Sequence, residues 1–210
     1  MSCSALLNDS LAEAIRLAAS SIKKGGIVAF PTETYYGLAV DPFNEKALQR
    51  LYELKKRPSS KPILTLVNNQ NQLSLLVRSV PVQYNALMEQ FWPGPLTLVF
   101  PAKPGVSSIL TGNTATVGVR ISSNTTAQAL VTGSGIPITA TSANLSGQKP
   151  ASCPDEVRQQ FGDQIDMVID GGATPGGKGS TIIGTIHHKL VLIRSGVIPG
   201  SVLGGLPEPG

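Results

Sequence analysis

GGATPGGKGSTIIGTI, residues 171–186, either forms a phosphate-binding P-loop that opens a helix or connects two strands. Up to Lys178 it matches the phosphate-binding P-loop pattern G-x-x-x-x-G-K-[ST]. The next residue is Gly179, where the pattern requires a hydroxyl side chain, and Ser180 comes one position too late. A P-loop also opens a helix, whereas STIIGTI is a β-branched run typical of a strand. We therefore expect a glycine-rich connection between two strands, whose Lys178, Ser180 and Thr181 could still line a site.

Strands and helices alternate along the rest of the chain, but not in a regular βαβ order. One helix is predicted from a Ser10–Glu13 capping box to Gly25, and another from Asn44 to Lys56. We predict an α+β fold in a single domain, with a twisted mixed sheet and helices packed on its faces. The domain spans residues 1–210, with a core of about 8–196 and an irregular tail at 197–210. Further strands are expected in GIVAFPT, PILTLV, LTLVFP, TVGVRIS, IPITATSAN, DMVID, STIIGTI and LVLIRSG, and further helices between PILTLV and FWPGP and in NTTAQALV and SCPDEVRQQFG.

Composition narrows the functional classes. No stretch approaches the roughly 20 apolar residues of a membrane span, and the first residues lack the basic region of a signal peptide. Two cysteines, Cys3 and Cys153, lie far apart and favour a reduced, cytoplasmic protein. The net charge is +4 although only 14% of residues are charged, which fits an anionic partner such as a nucleotide, phosphate or RNA.

Basic residues concentrate in LKKRPSSKP, residues 54–62. Lys55, Arg57 and Lys61 lie where a predicted helix ends, and cations there complement the helix dipole. That structural reason is sufficient by itself. A turn stiffened by two prolines could also hold a guanidinium and an ammonium against a triphosphate, so both interpretations stay open.

Two further stretches carry short polar side chains. In FPTETYYGLAVDP, residues 30–42, the threonines either position a small polar ligand or decorate the exposed face of a strand with Thr32, Thr34 and Tyr36. TATSANLSG, residues 139–147, places hydroxyl and amide groups on a turn and by itself is typical of an ordinary Ser/Asn turn. Adjacent His187 and His188 would face opposite ways on a strand, which favours a solvated hairpin tip over a metal site.

In order along the chain, six motifs together resemble those of the YrdC-like family of threonylcarbamoyl-AMP synthases. The motifs span residues 31–196 and are PTETYYGL, KKRPSSKP, VGVR, TSANLSG, DGGATPGGKGSTI and LIRSG. The resemblance implies a twisted mixed sheet with helices on its faces and an open basic cavity. It also implies a nucleotidyltransferase that converts L-threonine, bicarbonate and ATP to threonylcarbamoyl-AMP and pyrophosphate. The product serves N6-threonylcarbamoylation of adenosine 37 in tRNA.

The family's site residues carry over onto matching positions of this sequence. The resemblance implies no catalytic acid or base, no protein-bound metal, and Mg²⁺ that arrives with ATP. It implies a downstream tRNA threonylcarbamoyl transferase as partner, with direct RNA binding as a further expectation. The ATP side would comprise Lys55, Arg57, Lys61, Thr116, Ser142, Asn144 and Arg194, and the threonine side Thr34, Arg120 and Ala140.

Two positions depart from the family's pattern on the amino-acid side. Leu66 stands where some members have a histidine, and Tyr35 stands where a small aliphatic residue is usual. These departures motivate one alternative, a same-fold relative that adenylates another carbamate or acid. The basic composition motivates a second, a non-catalytic RNA-binding module.

Overall fold

The computed structural model describes residues 3–206 and contains seven α-helices and ten strands in that range. The helices are α1 (Cys3–Lys23), α2 (Glu45–Lys55), α3 (Gln70–Leu76), α4 (Tyr84–Phe91), α5 (Ser108–Thr111), α6 (Thr125–Ser134) and α7 (Pro154–Phe161). The strands are β1 (Val28–Pro31), β2 (Tyr36–Ala39), β3 (Thr65–Leu66), β4 (Leu96–Pro101), β5 (Thr116–Arg120), β6 (Ile138–Thr139), β7 (Thr141–Ser142), β8 (Met167–Val168), β9 (Thr181–Ile186) and β10 (Lys189–Arg194). The predicted α+β class is confirmed.

The strands form two mixed sheets, whereas the sequence predicted one. A four-stranded sheet has the order β7-β2-β1-β8, and a six-stranded sheet has the order β10-β9-β4-β5-β3-β6. The segment 138–142 explains the division, because β6 pairs with β3 in one sheet and β7 pairs with β2 in the other. Between them, the Ala140 amide donates to the Leu64 carbonyl at 2.7 Å. One predicted strand thus crosses from sheet to sheet.

Most predicted boundaries agree with the structure, but the start of α1 does not. The helix begins at Cys3, so Ser10 and Glu13 lie inside it and form no capping box. Glu13 instead pairs with Arg16, one helical turn later, at 2.6 Å. The apolar face of α1 packs on α6, with Ala18 and Ile22 fully buried.

The glycine-rich segment leads into a strand, which confirms that it is not a P-loop. It runs from β8 to β9, and β9 pairs parallel with β4 and antiparallel with β10. His187 and His188 form the exposed tip of the β9–β10 hairpin, with φ of 48° and 62°. Among the helices described, none has the length and apolar character to cross a bilayer.

Candidate active site

A cavity of about 750 Å³ is lined by residues from both sheets. Its volume lies within the roughly 300–1,000 Å³ range of small-molecule sites. Lys55 and Asn144, two of the ten predicted site residues, are not in its lining. The structure brings the other eight together in the lining: Thr34, Arg57, Lys61, Thr116, Arg120, Ala140, Ser142 and Arg194.

The turn that follows α2, residues 56–62, supplies two of the cavity's cations, and we call it the cationic turn. Lys56 ends the helix in the left-handed conformation at φ 49°, which redirects the chain toward the cavity. The Arg57 guanidinium donates to the Lys61 carbonyl at 3.2 Å and to the Pro62 carbonyl at 2.8 Å. These bonds within the turn fix Arg57, and both Arg57 and Lys61 line the cavity.

Arg194, at the end of β10, lies on another wall of the cavity. Its guanidinium donates to the Ser180 carbonyl at 2.7 Å and to the Ser180 hydroxyl at 3.0 Å. Burial lowers the pKa of Arg194, and the charges of Arg120 and Arg57 lower it further. Arg194 is therefore repelled by the other two guanidinium groups, and an anionic ligand would relieve that repulsion.

Lys55 lies inside the protein and not on the cavity wall. Only 1% of it is exposed, and its ammonium donates to the carbonyls of Ser142 and of Asn144, the latter at 2.7 Å. Burial, with a smaller contribution from Arg57, lowers the pKa of Lys55 to about 7. Lys55 thus connects the end of α2 to the turn after β7.

Asn144 also stabilises that turn from beneath. Its side-chain oxygen accepts from the Ser142 hydroxyl at 2.6 Å, and its amide donates to the carbonyls of Leu145 and Gln148 at 2.8 Å. Ser142 is the member of this group that lines the cavity. The sequence thus predicted all three residues for the site, but only Ser142 lines the cavity, and Lys55 and Asn144 support it from the protein interior.

The threonines at the end of β1 are buried, so the exposed-strand interpretation is wrong. Thr32 and Thr34 lie in the connection between β1 and β2 and are buried, as is Tyr36 at the start of β2. The hydroxyl groups of Thr32 and Thr34 lie 3.0 Å apart, and Thr34 lines the cavity. Across the cavity, the Thr116 hydroxyl lies 2.8 Å from that of Thr114, a lining residue that no sequence motif indicated.

Arg120, at the end of β5, lines the cavity with 6% of its surface exposed. Its Nη1 lies 2.9 Å from Oε1 of Glu33, and the other carboxylate oxygen of Glu33 accepts from the Ser122 hydroxyl. Burial lowers the pKa of Arg120, and the Glu33 charge opposes that shift. Sequence reasoning assigned no role to Glu33, although it lies inside the quoted PTETYYGL motif.

The glycine-rich segment forms part of the cavity wall near Tyr35. The Tyr35 hydroxyl donates to the Gly177 carbonyl at 2.8 Å, and the Gly176 amide donates to the Thr34 carbonyl at 2.7 Å. Lys178, Gly179 and Ser180 line the cavity, together with Tyr35. Leu66, the other departure from the family pattern, is buried in the core beside α6 and lies outside the lining.

The cavity offers cations and hydroxyl groups but no carboxylate cage. Within the described part of the chain, its lining contains no Asp or Glu. No group of three or more His, Cys, Asp or Glu in residues 3–206 is arranged to hold a metal ion. The arrangement suits a polyanion bound by charge and hydrogen bonds.

Comparison with known proteins gives one consistent family. The model of the Sua5/YciO/YrdC family, described as telomere recombination, matches residues 20–196. A threonylcarbamoyl-AMP synthase of Pyrococcus abyssi is 40% identical over 185 residues, which are 88% of this chain and 54% of that protein. One of Idiomarina loihiensis is 39% identical over 175 residues, 82% of this chain and 94% of that protein.

A solved structure agrees with these relatives. The crystal structure of P. abyssi Sua5 complexed with L-threonine superposes with a TM-score of 0.88 at 38% identity. The match covers 93% of this chain and 58% of the Sua5 chain. The chain thus spans little more than half the length of its Pyrococcus relative.

Proposed function

Since this chain belongs to the Sua5/YciO/YrdC family, we propose that it is a threonylcarbamoyl-AMP synthase. The observation that carries the proposal is the single cavity that gathers eight of the ten residues implied by the family's motifs. In this reaction L-threonine, bicarbonate and ATP form threonylcarbamoyl-AMP and pyrophosphate.

The uncompensated cations of the cavity would hold the triphosphate of ATP. Arg57, Lys61 and Arg194 lie on the lining, and a guanidinium can bind two phosphate oxygens at once. The Thr116 hydroxyl adds a neutral donor on the same lining, and the Ser142 hydroxyl, whose proton goes to Asn144, offers an acceptor. Lys55 and Asn144 would act from behind, by fixing the position of Ser142.

The amino acid would bind beside the nucleotide, at Thr34 and Arg120. Arg120 would pair with its carboxylate, and the backbone at Ala140 would line the same subsite. The Ala140 amide already donates to the Leu64 carbonyl, so we propose that the Ala140 carbonyl is the group that faces the amino acid.

The reaction needs positioning and charge neutralisation more than proton transfer. The threonine ammonium first releases a proton to solvent; the free amine then attacks bicarbonate, water leaves, and a carbamate forms. A carbamate oxygen then attacks the α-phosphorus, the bond to the bridging oxygen breaks, and pyrophosphate leaves with the bonding electrons. Fixed cations around the phosphates would stabilise the charge that develops, and Arg57, Lys61 and Arg194 are such cations on the lining.

We propose that Mg²⁺ accompanies ATP and that the protein does not hold it in a cage of its own. Among the residues that the structure describes, the lining supplies no carboxylates, but the hydroxyl groups of Thr116 and Ser142 could contact such an ion. Bound to the phosphates, Mg²⁺ would neutralise part of their charge.

The product of this reaction is an activated carbamate that a second enzyme must consume. We propose a tRNA threonylcarbamoyl transferase as that downstream partner and the cytoplasm as the location. The exposed lysines of the cationic turn, Lys56 and Lys61, are the residues we would test first for direct RNA contact.

Pyrophosphate release from ATP and bicarbonate, measured with and without L-threonine, tests the function. We expect release to require threonine. We expect Arg57→Ala to lower kcat/KM for ATP by about 10–100-fold, because a charged hydrogen bond contributes about 1.5–3 kcal/mol. Lys46→Ala, an exposed cation on α2, is the matched control and should leave release unchanged.

Other outcomes would identify the alternatives. Release that depends on a different amino acid or on carbamoyl phosphate would favour a same-fold relative, for which Tyr35 on the lining is the relevant departure. Steeply salt-dependent RNA binding without nucleotide turnover would favour the RNA-binding module. Threonine-independent release would overturn the proposed substrate.

A further inference from the structure

The five cations that line the cavity are not electrostatically equivalent. Among the described residues, a carboxylate lies within 4.0 Å of Arg120 alone in this set. No carboxylate of the described chain lies at that distance from the other four, which are Arg57, Lys61, Lys178 and Arg194. The cavity therefore has four cations without a neighbouring carboxylate and one, Arg120, that forms an ion pair.

Glu33 supplies the compensating charge from a fixed position. Its side chain is 12% exposed, and the Ser122 hydroxyl donates to one carboxylate oxygen. The other oxygen, Oε1, is buried and lies 2.9 Å from the Arg120 guanidinium without a well-aligned hydrogen bond. The Ser122 hydroxyl also accepts from the Asn124 amide, at the start of α6, so the carboxylate is tied to the scaffold.

This ion pair has a chemical consequence for what binds there. An isolated Arg120 would attract any anion, including the phosphates that the rest of the cavity is built to bind. With Glu33 beside it, the pair carries no net charge, so an incoming anion meets repulsion from Glu33 as well as attraction from Arg120. A zwitterion meets a complementary pair, since its carboxylate faces Arg120 and its ammonium is favoured by the Glu33 charge.

We propose that Glu33 is a specificity-determining residue that makes the Arg120 subsite select a zwitterionic amino acid and reject anions of similar shape. The inference rests on the proposed function, because it takes Arg120 as the group that pairs with the substrate carboxylate. Glu33 acts through its charge and through Arg120, and direct contact with the substrate is not required.

Binding of two ligands of matched shape tests this role. L-Threonine is a zwitterion, and 2,3-dihydroxybutanoate of matching stereochemistry replaces its ammonium with a hydroxyl and carries one negative charge. Titration calorimetry would give the Kd of each for the wild type, Glu33→Gln, Glu33→Asp and Glu89→Gln. Glu89 is an exposed carboxylate on α4 and serves as the control for net charge.

We expect wild type to bind threonine at least tenfold more tightly than the hydroxy acid. In Glu33→Gln this preference should fall about tenfold, because the isosteric amide removes the charge and leaves Arg120 uncompensated. Glu33→Asp, which keeps the charge, and Glu89→Gln should retain the preference within about twofold. If the loss of its counter-ion prevents Glu33→Gln from folding, the wild-type affinities still test the inference, because equal values would overturn it.

Three results separate this inference from the proposed function. Equal affinities of wild type for the two ligands would overturn the inference. So would a Glu33→Gln protein that weakens both ligands by the same factor, which is the signature of a purely structural residue. If wild type binds neither threonine nor its analogue while it still binds ATP, the proposed amino-acid substrate is wrong instead.

Discussion

Replacing Lys55 by Met should destabilise the protein by an amount that depends on pH. The side chains have similar length, and the substitution removes the amine that donates to the carbonyls of Ser142 and Asn144. The Ser142 carbonyl keeps a second donor, the Asn144 amide at 3.0 Å. The Asn144 carbonyl loses its donor, which costs about 1–3 kcal/mol for a buried group.

The pH dependence follows from the pKa of the buried amine. Burial, helped by the charge of Arg57, lowers the pKa of Lys55 to about 7, whereas in the unfolded chain it is about 10.4. Between these values the unfolded state holds a proton that the folded state has released, so wild-type stability rises with pH. From pH 7 to pH 9 the gain is about 2 kcal/mol, and the Met variant lacks it.

Urea unfolding followed by the fluorescence of Trp92, at pH 7 and at pH 9, measures both proteins. The destabilisation caused by Lys55→Met should be larger at pH 9 by about 2 kcal/mol. Lys46→Met, an exposed lysine on the same helix, is the control and should show no such change. If Lys55→Met lowers the free energy of unfolding by the same amount at both pH values, burial does not lower the pKa of Lys55, and the reasoning is refuted.

Two further substitutions test the packing around the cavity. Gly118→Ala would place a methyl group 2.4 Å from the Leu64 side chain, which lines the cavity. We expect the methyl group to displace Leu64 into the cavity, which should lower the free energy of unfolding in urea by about 1–3 kcal/mol and weaken ATP binding. An unchanged Kd for ATP would contradict that displacement. Tyr84→Phe removes a buried hydrogen bond to the Val99 carbonyl at 2.7 Å, so it should cost about 1–2 kcal/mol in urea at neutral pH. Burial raises the pKa of Tyr84 to about 12, so the free energy of unfolding of the wild type should fall between pH 10 and pH 12. If the free energy of unfolding of Tyr84→Phe falls equally steeply in urea titrations over that range, Tyr84 is not the cause.

Local sequence signals predicted most of the secondary structure. Asn44 was expected as a helix cap, and its side chain accepts from the Ala47 amide at 3.1 Å. The β-branched run STIIGTI was expected as a strand, and it forms β9. A helix cap and a β-branched run both involve residues that are close together in the sequence, so the sequence reveals them.

Two features of the fold were missed or misplaced, and one of them depends on residues far apart in the sequence. The division into two sheets depends on how β6 and β7 find separate partners across the chain, which period-2 alternation cannot show. The start of α1 was misplaced because Ser10 and Glu13 match a capping box but lie inside a longer helix. Ordered motifs nevertheless indicated the family, since they sample the whole chain from residue 31 to residue 196.

The motifs indicated which segments contribute to the cavity, whereas the position and role of each residue there follow from the tertiary structure. Arg57 and Lys55 are two residues apart in one motif, yet one lines the cavity and the other is buried against two backbone carbonyls. Glu33 and Arg120 are 87 positions apart, and only the fold brings their charges within 2.9 Å. Charge and hydrogen-bonding capacity belong to the residue, whereas burial and partnership arise only when distant segments pack together.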